Sequence, residues 1–127
     1  MNMKKVISTT KAPAAIGPYS QAVEINGTLY ISGQIPVNPE NGKVDSLVIE
    51  GQTKQVFENI SAILSAAGYS FSDVVKTTIF ITDMKNFAVV NEIYKKYYTE
   101  NFPARSTVGV KELPLGVLVE METIAVK

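Results

Sequence analysis

A chain of 127 residues, 46 % apolar and 19 % charged, has the makings of one domain that buries roughly two thirds of its unfolded surface. Its 12 basic and 12 acidic side chains balance, and the basic doublets Lys4-Lys5 and Lys95-Lys96 fall short of the clustered charge that displaces counterions from a nucleic acid. With no Cys, His or Trp, thiolate nucleophiles, imidazole bases and the soft ligand sets of structural zinc are excluded, so any chemistry falls to carboxylates, Arg, Lys, Tyr, hydroxyls or the backbone.

No Gly/Ser/Pro-rich linker or internal repeat divides the chain, so a single domain over 1–127 is expected. The N-terminal stretch lacks the apolar run of a signal peptide, and nothing approaches the ~20 apolar residues of a membrane span, so a soluble, cytoplasmic protein is expected.

"KKVIS" reads as a short first strand. "SQAVEINGTLYISGQ" predicts a hairpin, because Asn26-Gly27 tolerates positive φ at both central turn positions. A loop through Pro36, Pro39 and Gly42 follows. From about Ser46 to Ala67, the spacing of Ile49, Val56, Ile60, Ile63, Leu64 and Ala67 predicts a helix that Gly68 stops.

"DVVKTTIFIT" reads as a β-branched strand. "KNFAVVNEIYKKYY" returns to helical spacing through Phe87, Val90, Tyr94 and Tyr98, with Asp83 as its cap. "RSTVGV" and "VLVEMETIAV" read as a closing hairpin around Pro114 and Gly116. The order β-β-β-α-β-α-β-β predicts an α+β fold with both helices on one face of the sheet. The other face is rich in Val, Ile and Tyr, and burial against copies of the same chain is expected.

Pairing the closing hairpin with Val110 near Val117 puts Arg105 opposite Glu122 and diagonal to Glu120, all three on the face away from the helices. Such a trio reads as a cross-strand ion pair, the commoner use of such charges, or as a carboxylate-gripping guanidinium beside a water-holding acid, and spacing does not choose. Asn91, beside the apolar stripe of the second helix, needs a hydrogen-bond partner. Tyr19, after Gly17-Pro18, and Ser32, before Gly33, mark the ends of the first hairpin; "SGQIP" lacks the spacing of a phosphate loop.

Together, "APAAIGPYSQAV", "ISGQIPVNPENGKV", "VVKTTIFITDMKNFAVVNEIYKKYY", "FPARSTVGV" and "LVEMETIAVK" resemble the RidA (YjgF) family of imine deaminases, from about residue 4 to the C-terminus. The resemblance implies a chorismate-mutase-like fold and a homotrimer with a central β-barrel and clefts between subunits. It implies hydrolysis of 2-imino acids such as 2-iminobutanoate and 2-iminopropanoate, or their enamine tautomers, to 2-oxo acids and ammonia, which protects pyridoxal-phosphate enzymes from 2-aminoacrylate. No metal or cofactor is implied.

By the same resemblance Arg105 in "PARS" is expected to bind the substrate carboxylate and Glu120 in "VEME" to position the attacking water. Tyr19, Ser32 and Asn91 match the remaining cleft residues, and Gly33 would offer backbone contacts. Thr107 stands where many relatives carry cysteine, so a contact there uses hydroxyl or backbone, and "YTENFPARS" is shorter than in some relatives. The rival readings are a non-enzymatic protein that binds a small carboxylate such as a 2-oxo acid, a chaperone-like protein, and an endoribonuclease, the last disfavoured by neutral charge and the absence of histidine.

Overall fold

The computed structural model describes residues 3–127, so Met1 and Asn2 of the expected domain lie outside it. The strands are β1 (Lys5–Ile7), β2 (Ala22–Ile25), β3 (Thr28–Gln34), β4 (Val74–Ile81), β5 (Ala104–Gly109) and β6 (Val119–Val126); the helices are α1 (Ile49–Ala67) and α2 (Phe87–Tyr97). This is the expected element order. One six-stranded mixed sheet runs β1-β2-β3-β6-β4-β5, with β4 and β5 parallel and the other neighbours antiparallel.

Local chemistry sets the element ends. Asn26 and Gly27 take φ of 51° and 76°, the paired left-handed conformations of a two-residue hairpin turn. Gly68 closes α1 at φ 82°, letting the N–H groups of Gly68 and Tyr69 reach the carbonyls of Ser65 and Leu64. The helix starts at Ile49 rather than Ser46, because Val48 is extended and Ser46 is held ahead of it by Gln52, whose Nε2 donates to the Ser46 carbonyl at 3.0 Å. Asp83 caps the short turn Met84–Asn86 that leads into α2, its Oδ1 accepting from the Lys85 N–H at 2.9 Å.

Both helices lie on one face, where Phe57, Ile60 and Leu64 of α1 and Val90 of α2 bury Leu29, Ile31, Ile79, Ile81, Val119 and Met121. Phe57 joins the helices, stacking on Tyr97 with centroids 4.2 Å apart and meeting Tyr94 edge-on at 5.9 Å. The opposite face carries the row Val6, Val23, Tyr30 and Ile124, set side by side by the strand register. Tyr30 is 49 % exposed there, with Val75, Val108 and Val126 also open.

The closing hairpin is not formed. β5 pairs with β4, Arg105 opposite Thr77, and β6 lies between β3 and β4, Glu120 opposite Phe80 and Glu122 opposite Thr78. An 11-residue helix between β4 and β5 suits a parallel crossover. Central placement of β6 gives both its edges hydrogen-bond partners and buries Val119, Met121, Thr123 and Ala125. The correction reaches the site: Arg105 shares the helix-covered face with Thr77 and Thr123, while Glu120 and Glu122 point to the bare face.

Candidate functional site

Arg105 sits on edge strand β5 and folds over α2. Its Nη1 donates to Asn91 Oδ1 at 2.8 Å, and its guanidinium carbon lies 4.7 Å from the centroid of the Tyr94 ring and 5.4 Å from that of Phe87. Asn91 thus finds the partner its position demanded, and the two sequence-predicted residues are joined. Phe87, Asn91 and Tyr94 fall at i, i+4 and i+7, one stripe of α2 facing one side chain.

The Tyr94 hydroxyl shares a 2.8 Å hydrogen bond with buried Thr77 Oγ1, and Thr77 is the residue paired with Arg105 across the strands. Burial pushes the Tyr94 phenol up, against the opposing pull of the Thr77 bond and the Arg105 charge, so the ring stays neutral. Arg105, Asn91 and Tyr94, with Lys95, Phe102 and Pro103, line a cleft of about 390 Å³. Thr107 follows Arg105 on the same face, its buried Oγ1 without a hydrogen-bond partner.

A second group gathers on the other face. Glu120 is half-buried and lies against Gly33, where any Cβ would collide with its carboxylate. Desolvation, and then the like charge of Glu122, raise the Glu120 carboxyl above the usual carboxylate range. Ser32 Oγ donates to the Ser20 carbonyl at 2.6 Å, tying the strand before Gly33 to the segment that holds Tyr19. Tyr19 itself is 52 % exposed and lines, with Gly33, Ile16 and Leu115, an apolar cavity of about 430 Å³.

The predicted residues therefore form two groups in one chain: Arg105, Asn91 and Thr107 at the β5 edge, and Tyr19, Ser32, Gly33 and Glu120 about the bare face. Sequence reasoning missed Phe87 and Tyr94 as site residues, having read both as core. Their helical register with Asn91 was the available signal. Among the described residues no group of three or more Asp or Glu side chains is placed to hold a metal ion, and no helix is long and apolar enough to cross a membrane.

The model of the family described as "Endoribonuclease L-PSP" matches residues 9–127. The chain is 51 % identical to the 2-iminobutanoate/2-iminopropanoate deaminase of Mus musculus over 125 residues, 98 % of this chain and 93 % of that protein. It superimposes with a TM-score of 0.96 on a Rid-family protein of unknown function from Yersinia pestis, 55 % identical, covering 98 % of this chain and 100 % of the other. The TM-score is 0.92 against E. coli TdcF with bound serine, 44 % identical, covering 97 % of this chain and 99 % of the other.

Proposed function

This chain belongs to the Endoribonuclease L-PSP family, within which the RidA-type proteins fall, and from that premise we propose that it hydrolyses 2-imino acids to 2-oxo acids and ammonia. The observation that carries the reading is Arg105, fixed by Asn91 and two rings at the mouth of a cleft, with guanidinium N–H groups left over for a carboxylate. A fork–fork carboxylate contact adds about 1.5–3 kcal/mol per charge-assisted bond. It also fixes the substrate's orientation, which a single point charge does not.

Glu120 supplies the other half. A carboxyl whose affinity for protons is raised by burial exchanges one nearer neutrality than an ordinary glutamate. Once the imine nitrogen is protonated, water held by Glu120 attacks the adjacent carbon and its proton passes to the carboxylate. The carbinolamine nitrogen then takes a proton and departs as ammonia, leaving the 2-oxo acid. Because Arg105 and Glu120 occupy opposite faces, the cleft is completed by a neighbouring copy, and a homotrimer joined through the bare faces is the assembly we propose. Its setting is the cytoplasm, where pyridoxal-phosphate enzymes release enamines and imines, 2-aminoacrylate among them. Support for a small amino-acid-like ligand comes from the serine bound in E. coli TdcF.

The test generates 2-iminobutanoate in place with a threonine dehydratase and follows ammonia release. The wild type accelerates it and Arg105→Ala does not. Release at the uncatalysed rate with the wild type overturns the assignment in favour of carboxylate binding alone.

A further inference from the structure

We propose that Phe87 and Tyr94 are positioning residues, a rigid aromatic platform that sets the plane of the Arg105 guanidinium and so governs how tightly a substrate carboxylate is held. The proposal deepens the deaminase reading and rests on it.

Arginine loses several rotatable degrees of freedom when it grips a ligand, and a side chain already held in the gripping pose loses fewer. Three elements hold this one. Asn91 Oδ1 accepts from Nη1 at 2.8 Å, and the rings of Tyr94 and Phe87 lie 4.7 Å and 5.4 Å from the guanidinium carbon, within the range of cation–π attraction. Tyr94 cannot swing away. Its hydroxyl is tied to buried Thr77 at 2.8 Å, and its ring is backed by Phe57 and by Tyr98 at 4.6 Å. Since Thr77 pairs with Arg105 in the sheet, the same strand register fixes both the guanidinium's anchor and the ring beneath it.

Phe87 is half-buried and packs against the margin of the core, whereas Phe57 is fully enclosed within it, so part of the Phe87 ring remains free to face the guanidinium. Its place one turn before Asn91 makes sense as the second wall of the platform. An aliphatic residue at either position would keep apolar contact but lose the attraction of the ring face for the cation.

Tyr94→Leu, Tyr94→Phe and Phe87→Leu are compared with the wild type and Arg105→Ala. The two leucine variants should raise KM for 2-iminobutanoate and weaken calorimetric binding of 2-oxobutanoate by about 3- to 30-fold, with kcat changed less than about 2-fold. Tyr94→Phe, which keeps the ring, should restore most of the affinity that Tyr94→Leu loses. Independently of activity, the Arg105 Nε–H resonance should sit upfield through ring currents and move downfield in both leucine variants. If the wild type hydrolyses imine and Arg105→Ala does not, while folded Phe87→Leu keeps KM and binding unchanged, the platform is refuted and the deaminase stands. If the wild type is inactive, the deaminase reading fails, and the resonance decides the platform alone: no downfield movement refutes it, movement supports it.

Discussion

Asn91 Oδ1 accepts a hydrogen bond from Arg105 Nη1 at 2.8 Å, joining α2 to the edge strand across 14 residues of sequence. The bond directs one side of the guanidinium toward the helix and leaves the rest for the cleft. Asn91→Ala should leave folding intact, since the contact is exposed, but raise KM for a 2-imino acid about 3- to 10-fold. Steady-state kinetics beside a thermal melt checks both halves.

The pH profile should answer to Glu122. The Glu120 carboxyl is raised by desolvation and by Glu122, so in the proposed mechanism the acid limb of kcat/KM lies above the ordinary glutamate range. Replacing Glu122 with Gln removes the repulsion and should move that limb to lower pH. The stability effect has a matching sign. A folded-state pKa above the unfolded one means the native chain holds the extra proton, so stability falls as pH rises from the unfolded pKa through the folded one. Chemical denaturation across that window should show a shallower fall in Glu122→Gln.

Gly33→Ala should impair the proposed deamination, because the new methyl takes the space of the Glu120 carboxylate and pushes its flexible end aside, at a stability cost below about 1 kcal/mol. Adding Glu120→Ala should recover most of the stability and none of the activity. A double-mutant cycle by urea denaturation reads the coupling.

Tyr30→Glu places a charge within the Val6, Val23, Tyr30 and Ile124 row of the bare face, where Val6 and Tyr30 are exposed. Light scattering at micromolar concentration should show the proposed trimer in the wild type and the mass of a single chain in the variant, with deamination lost alongside.

The parts of the fold set by near neighbours were legible. Asn26-Gly27 announced its hairpin, Gly68 its helix end, and the Phe57 to Leu64 region its buried stripe. Strand order was not, because short connections favour a hairpin by default, and nothing within β5 or β6 records that β4 lies between them. The βαβ pattern of β4, α2 and β5 was the countervailing signal. Misreading it placed Arg105 on the wrong face, since strand alternation turns a pairing error into an orientation error. In the structure Arg105 and Asn91 share a hydrogen bond and Glu120 is half-buried against Gly33, while the rings under Arg105 are not legible in the sequence because a helical stripe looks the same whether it packs on aliphatics or on a cation.

The separation of Arg105 and Glu120 by the thickness of the sheet has a temporal meaning under the proposed mechanism. A newly folded chain is a latent enzyme, complete in structure but carrying two unmatched half-clefts, and it becomes competent only on meeting its copies. Specific activity should therefore decline on dilution more steeply than mass action on substrate alone predicts, and mixing Arg105→Ala chains with Glu120→Ala chains should regenerate some intact clefts from two inactive parents.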